Sequence, residues 1–526
     1  MNPGWWQKSV FYQVYLPSFF DGNDDGLGDF PGLISKVDYL ASLGIGGLWI
    51  TPFYPSPLVD NGYDISDYCN VDPRFGTLDD FRQLVAACHQ KGIKIVIDLV
   101  LNHVSTAHPW FQDAWNTPAS PYRDFFLFTS TPNNWQAFFS GSAWEKEPDT
   151  GQYYYHKFAP EQADLNWRNP DVEAQILSVI DFWIALGVDG FRFDVINFLT
   201  TDGIGQDNPS ADDQQIHAHD INQPAILPTL RRLCRSIRQR GEFFLIGEVG
   251  SDDLEVISRY QAADLMDVVF NFNLGSLKTF HVDTLFAELQ AMRQKQSGLP
   301  TLFFSSHDMP RMIGRFGEYA GDTERARAVM MLQLSAQGVP FIFQGEEAGV
   351  NNYVPANEAM LIDIQGKTHY RTALAQGKTA AQALKVAICH SRDASRAPLP
   401  WTVAPHGGFT RAGPWMPLAE ISAATCLEVQ RDTPGSLWQD YQQMIALRTT
   451  TSALCTGEYR LLAQENQCIH FIRESDDTCV WVSINFGDAV KNPWYEISAP
   501  VVAGENTPWL AKNHAIIKRS CHAKAQ

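Results

Sequence analysis

Four carboxylates stand at or just beyond the ends of apolar runs in this chain. Asp98 closes Ile93-Lys94-Ile95-Val96-Ile97. Asp194 lies in Gly190-Phe191-Arg192-Phe193-Asp194-Val195. Glu248 closes Phe243-Phe244-Leu245-Ile246-Gly247, and Asp308 follows Leu302-Phe303-Phe304. The runs read as buried parallel strands. Acids at the ends of several separate strands are how a (β/α)₈ barrel builds an active site on its carboxyl face. Two of them at close range can cut a glycosidic bond, one ionised to attack and one protonated to donate. Arg192, two residues before Asp194, shares its side of the strand, and its charge is expected to hold Asp194 ionised.

Such acids need a scaffold to aim them. Strand and helix patterns alternate from the start of the chain, with strands expected at 10–15 and 47–50. Leu33, Val37 and Leu40 fall at helical spacing, and Gly44 stops that helix. Thr77 and Asp80 form a capping pair ahead of Phe81, Leu84, Val85 and Cys88. Pro170 opens another helix, with Val172, Ile176, Val179, Ile180 and Trp183 turned to the core. Further strands fit 243–248, 267–271, 301–305 and 340–344. This α/β order predicts a (β/α)₈ TIM barrel made of residues 1–103 and 170–450. Residues 104–169 are rich in aromatics, Pro, Ser and Asn and show no clean helix period. They are too long for a βα loop and read as a small inserted domain after the third strand. A second irregular stretch, 348–415, is expected near the mouth. Short alternating strands follow, and 451–526 reads as a C-terminal antiparallel β-sandwich.

The totals narrow the function. At 526 residues the chain exceeds one compact core, and 45% hydrophobic with 19% charged residues is ordinary for a soluble protein. A net charge of −19 argues against nucleic acid or an anionic membrane as partner. The odd count of nine cysteines, without a CxxC pair, argues for free thiols in a reducing compartment. The first residues lack a basic stretch followed by an apolar run, and no apolar stretch of about 18 residues could span a bilayer. A cytoplasmic location is expected. Oligomeric state is not legible.

Taken together, the motifs resemble the α-amylase superfamily, glycoside hydrolase family 13, and within it the oligo-1,6-glucosidase and dextran-glucosidase branch. The resemblance runs nearly end to end. It includes Asp60-Asn61-Gly62-Tyr63-Asp64, Asp98-Leu99-Val100-Leu101-Asn102-His103, Asp164-Leu165-Asn166, residues 190–195, Gly247-Glu248-Val249 and Ser306-His307-Asp308. It implies Asp194 as nucleophile, Glu248 as acid/base and Asp308 as transition-state stabiliser. His103 and His307 would hydrogen-bond sugar hydroxyls. Asp60 and Arg396 would clamp a terminal glucose, with Tyr63 stacked on it. Val195 resembles the residue of α-1,6-preferring members, though a β-branched side chain there also suits core packing. The implied activity is a retaining exo-α-glucosidase that releases glucose from the non-reducing end of short, α-1,6-linked glucosides, with no catalytic cofactor. A small oligosaccharide or disaccharide is the expected partner. A phosphotrehalase, trehalose synthase or sucrose isomerase would use the same machinery.

Two readings from other classes stand beside it. A metal-dependent barrel hydrolase could use Asp98, His103, His307 and Asp308, or the pair in His217-Ala218-His219. A non-catalytic sugar-binding barrel would lack the carboxylates that this chain keeps. The loop 21–29 offers oxygens at alternate positions from Asp21, Asn23, Asp25, the Leu27 carbonyl and Asp29. These suit Ca²⁺, and the resemblance implies a structural calcium ion here. A plain Asx-rich turn is the alternative.

Overall fold

A computed structural model describes residues 4–521 other than Asp149, Asp213 and Ala320. Eight parallel strands form the centre: β1 (Phe11–Val14), β2 (Gly47–Ile50), β3 (Lys94–Val100), β4 (Gly190–Asp194), β5 (Phe244–Glu248), β6 (Val268–Phe270), β7 (Thr301–Leu302) and β8 (Val339–Phe343). They pair in the order β6-β5-β4-β3-β2-β1-β8-β7, the nearly closed barrel expected. Among the described residues no ladder joins β6 to β7. The Thr301 hydroxyl bridges that seam, accepting from the Asn271 amide at 3.1 Å and donating to the Val269 carbonyl at 3.3 Å.

Strand alternation sorts the core into two layers. Phe11, Trp49, Val96, Phe244, Ile246, Val268, Phe270 and Phe341 fill the barrel. Their neighbours Tyr12, Leu48, Ile95, Phe191 and Leu245 pack outward. Side chains two residues apart share a face. Asp98 therefore follows Val96 inward, Asp194 follows Arg192, and Glu248 follows Ile246. All three reach the carboxyl end, where a barrel does its chemistry.

The expected helices form as their caps require. Thr77 and Asp80 exchange bonds, the Thr77 amide donating to Asp80 Oδ2 at 2.8 Å and the Asp80 amide to Thr77 Oγ1 at 3.2 Å. Helix Leu78–Gln90 follows, burying Phe81, Leu84, Val85 and Cys88. Asn169 caps helix Pro170–Ala185, which buries Val172, Ile176, Val179, Ile180 and Trp183. Gly44 and Gly187 end their helices at φ +93° and +94°, a region open to glycine at little cost.

Several local expectations are corrected. β3 runs past Asp98 to Val100, so Asp98 lies inside its strand. β7 ends at Leu302, and Asp308 stands on the loop beyond it. The segment 104–169 holds helix Pro109–Asn116 and a three-stranded antiparallel sheet of Phe128–Thr129, Trp144–Lys146 and Tyr153–Tyr155. The stretch 348–415 is not wholly irregular: helices Ile364–Ala375 and Ala380–His390 pack as a hairpin. Their buried contacts are Ala373, Ala383, Ala387, Leu361 and Tyr370, and alanine gives little hydrophobic signal.

The C-terminal part is a five-stranded antiparallel sheet of Glu458–Glu465, Cys468–Glu474, Thr478–Asn485, His514–Cys521 and Val501–Gly504. A two-stranded ribbon, Val490–Lys491 with Trp509–Leu510, joins it through a cluster of Cys468, Val490, Leu510 and Ile516.

Candidate active site

A cavity of about 530 Å³ opens at the carboxyl end of the barrel, and Asp194, Glu248 and Asp308 all line it. Asp98 does not; it lies fully buried beneath. Arg192 ties the floor together. Its Nη1 donates to Asp98 Oδ1 at 2.5 Å and to Asp194 Oδ1 at 2.6 Å, and its Nη2 to Glu248 Oε2. Adjacent strands β4 and β5 set this arrangement, with Ile246 paired to Arg192 and Gly247 to Phe193.

One guanidinium facing three carboxyls leaves an excess of negative charge. Burial raises Asp194 well above the ordinary carboxyl range. Arg192 opposes the rise, while the charges of Glu248 and Asp98 add to it. Burial likewise lifts Asp98 to about 6 against the pull of Arg192. Arg192 therefore does not serve Asp194 alone: its charge is divided among three carboxyls.

Asp308 faces the opposite balance. His307 Nε2 lies 3.1 Å from it, Arg396 Nη2 3.0 Å and Arg392 Nη1 3.7 Å. Burial works to raise Asp308, but these neighbours hold it well below the usual carboxylate range. His307 is fixed by Gln13, whose Nε2 sits 2.6 Å from Nδ1, and by the Tyr63 hydroxyl 2.6 Å from Nε2. Burial pushes its imidazole down to about 3, so it is neutral near pH 7. With Gln13 donating to Nδ1, the ring proton sits on Nε2, toward Asp308 and Tyr63. His103 is also neutral, lowered to about 4 by burial, and its Nε2 lies 3.1 Å from the Tyr63 carbonyl. Tyr63 lines the cavity with its ring stacked on His307, centroids 5.5 Å apart at 9°.

The clamp is built differently from expectation. Arg392, not Arg396, meets Asp60, with Nη2 to Oδ1 at 2.7 Å. Arg392 also donates through Nε to Asp363 Oδ1 at 2.8 Å. Arg396 turns beneath, donating to the His307 carbonyl at 2.7 Å and to Asp308 Oδ1 at 3.0 Å. Only Arg392 of the two lines the cavity, with Asp60. Asp363 was not legible as a site residue, because nothing in its local sequence marks it. Replacing Arg392 with Gln would leave Asp60 buried without its cation and Asp363 with only Arg396, 3.9 Å away. The expected results are a stability loss of about 3–5 kcal/mol and a KM for a disaccharide raised about tenfold or more. Thermal melting and steady-state kinetics read the two effects, and an unchanged KM would exclude Arg392 from the sugar site.

The walls are aromatic. Phe139, Phe158 and Phe198 line the cavity with Phe138, which stands exposed at the rim. The inserted segment carries three of these and is pinned by Asp164. That carboxyl accepts from the Lys157 amide at 2.7 Å and from Asn102 Nδ2 at 2.9 Å. Val195 also lines the cavity. Its backbone is left-handed, φ +41° and ψ +48°, which a β-branched residue adopts only under strain. The turn lets Asp194 stay at the cavity while Ile196 drops into the core.

His217 lines the cavity but not His219, and His217 bonds to Asp220 rather than to Asp194, Glu248 or Asp308. In the loop 21–29, Asp21 accepts from the amides of Asn23, Asp24 and Gly26 at 3.1, 2.8 and 2.7 Å. Asn23 and Asp25 each accept from the amide two residues on, at 2.9 Å. Among the described residues, no three His, Cys, Asp or Glu side chains converge as a ready metal site. Any ion here needs a mixed set that includes Asn23 and the Leu27 carbonyl. One observation favours it: Asp29 Oδ2 is buried without a hydrogen-bond partner. Burial, with the charges of Asp21 and Asp25, raises Asp29 to about 6 against the backbone bonds from Gly32 and Gly22.

A (β/α)₈ barrel with carboxyls sharing one cavity at its carboxyl face is the architecture of a sugar-cleaving hydrolase. The alpha-amylase catalytic domain matches residues 13–457. The chain belongs to the alpha-amylase family of glycoside hydrolases. It is 36% identical to the trehalose-6-phosphate hydrolase of Escherichia coli, over 94% of this chain and 92% of that protein. It is 34% identical to the oligo-1,6-glucosidase of Halalkalibacterium halodurans, over 97% and 95% of the two. The crystal structure of isomaltulose synthase from Klebsiella sp. superposes with a TM-score of 0.91 at 32% identity, covering 99% of this chain and 100% of that one.

Proposed function

We propose that the protein is a retaining exo-α-glucosidase that removes glucose from the non-reducing end of short, unphosphorylated α-glucosides, with α-1,6 linkages preferred. The observation that carries this reading is the single guanidinium of Arg192, which gathers Asp194 and Glu248 at the floor of a cavity walled by the Asp60–Arg392 pair. Asp194 attacks C1 as the glycosidic C–O bond breaks, and Glu248 gives its proton to the leaving oxygen. Water, deprotonated by Glu248, then displaces Asp194 from C1. Positive charge developing at C1 favours the anion on Asp194. Asp308, held ionised, faces the same charge.

The relatives include a hydrolase of a sugar phosphate, which would need unpaired positive charge for its substrate. Among the described residues, Lys157 and Arg392 are the Lys and Arg side chains of the cavity wall, and both are neutralised by carboxylates. This favours a neutral sugar. A product assay on isomaltose, maltose, sucrose, trehalose and trehalose 6-phosphate tests the reading. Glucose release chiefly from isomaltose supports it. Preference for trehalose 6-phosphate, or isomerised sucrose, would replace it with one of the other activities found among the relatives.

A cytoplasmic location is supported by nine free cysteines, and no helix among the described residues is long and apolar enough to cross a membrane. The loop oxygens of Asp21, Asn23, Asp25, Leu27 and Asp29 would hold Ca²⁺ as a structural ion, drawing the Asp29 carboxyl to its ionised form. Chelation with EDTA should then lower the melting temperature more than the catalytic rate at moderate temperature. Loss of rate with melting unchanged would contradict a purely structural ion.

A further inference from the structure

The loop after β4, residues 203–223 other than Asp213, carries none of the family motifs quoted above. It folds onto the inserted segment. Trp135 Nε1 donates to the Gln206 carbonyl at 2.8 Å, Asn134 Nδ2 to the Asn208 carbonyl at 2.8 Å, and Gln215 Nε2 to the Asn134 carbonyl at 2.7 Å. A buried ion pair completes the junction: Lys157 Nζ lies 2.7 Å from Asp220 Oδ2, with side chains 1% and 0% exposed. Lys157 also donates to the Gln136 carbonyl at 3.1 Å, and Asn208 Nδ2 to Asp220 Oδ1 at 2.9 Å. Burial works to raise Asp220, but hydrogen bonds from His217 and Lys157, with the charge of Lys157, hold it below the ordinary range.

His217 is the outward member of this cluster. Its side chain is 34% exposed and lines the cavity. Nδ1 lies 3.0 Å from Asp220 Oδ2 and 3.3 Å from Lys157 Nζ; Lys157 already donates to Asp220 and to the Gln136 carbonyl, so the shorter contact is read as Nδ1–H donating to the carboxylate. In a neutral imidazole this leaves Nε2 as an acceptor, and among the described residues it has no partner. The loop sits on the Glu248 side. Asn197 Nδ2 donates to the Gly250 carbonyl at 3.2 Å, the Gly250 amide returns a bond to Asn197 Oδ1 at 3.1 Å, and the Asn222 amide donates to the Asn197 carbonyl at 2.8 Å. A general acid protonates the departing oxygen, so the departing sugar must lie on the acid's side.

We propose that His217 is a specificity-determining residue that accepts a hydrogen bond from a hydroxyl of the leaving sugar. Asp220 and Lys157 are positioning residues that fix its tautomer and direction. The proposal rests on the glucosidase reading, and it names the leaving group as a neutral hexose unit. The test compares kcat and KM on isomaltose and on nitrophenyl α-glucoside, whose aglycone has no sugar hydroxyl. His217→Ala should lose about tenfold more kcat/KM on isomaltose than on the aryl glucoside, mostly through KM. Lys157→Met should follow the same pattern, and Lys157→Arg should recover it. His217 is partly exposed, so its variant tests the idea even where Lys157→Met unfolds. Equal losses on both substrates, or no loss on either, overturn the proposal while leaving the glucosidase reading intact. A wild type that cleaves neither substrate overturns both.

Discussion

Asp194→Asn should reduce turnover by on the order of 10⁴-fold or more while the protein still folds. The amide keeps the shape of the carboxylate and can still accept from Arg192 Nη1, now 2.6 Å away. It cannot form the covalent link to C1. The change also removes one of three carboxyls competing for a single guanidinium. Melting temperature should hold or rise, because burial with like charge makes the Asp194 anion costly. Activity within tenfold of wild type would refute the nucleophile assignment. A collapsed melting temperature would instead mean that this carboxylate holds the fold.

Glu248→Gln should separate the two substrates. Glucosylation by isomaltose needs a proton on a poor leaving group and should fall by on the order of 10²–10⁴-fold. Glucosylation by an activated aryl glucoside needs little protonation and should fall far less. Deglucosylation then limits, since water has lost its base. Added azide, which needs no base, should restore turnover and release α-glucosyl azide with retained configuration. Equal losses for both substrates in the first step, with no azide rescue, would remove Glu248 from the acid/base role.

Much of this site was legible because strand parity is strict. Once Arg192 and Asp194 were assigned to one strand, they had to share a face, and they do. The helix caps at Thr77 and Asn169 were equally local signals. Other features depended on burial that no single stretch reveals. β3 continues beyond Asp98 by pairing Leu99 with Phe193 and Val100 with Asp194, and Arg192, Trp49 Nε1 at 3.0 Å and the Tyr63 hydroxyl at 3.2 Å satisfy the carboxyl buried within it. Arg392 and Arg396 stand four residues apart around a short helical turn, so both reach the same neighbourhood. The difference between meeting Asp60 and meeting Asp308 is set by tertiary packing. The division of one positive charge among three acids is likewise a property of the assembled floor.

The seam between β6 and β7 has a consequence for how this barrel can breathe. A hydroxyl bridge is a weaker fastening than a strand ladder, so thermal opening should begin along that line. The nucleophile and its acid partner ride on β4 and β5, which are joined to each other and to β6 by backbone ladders. Asp308 and its flanking arginine cradle belong to the segment beyond the seam. Flexing there would change the distance between the stabilising anion and the pair of reacting groups on β4 and β5.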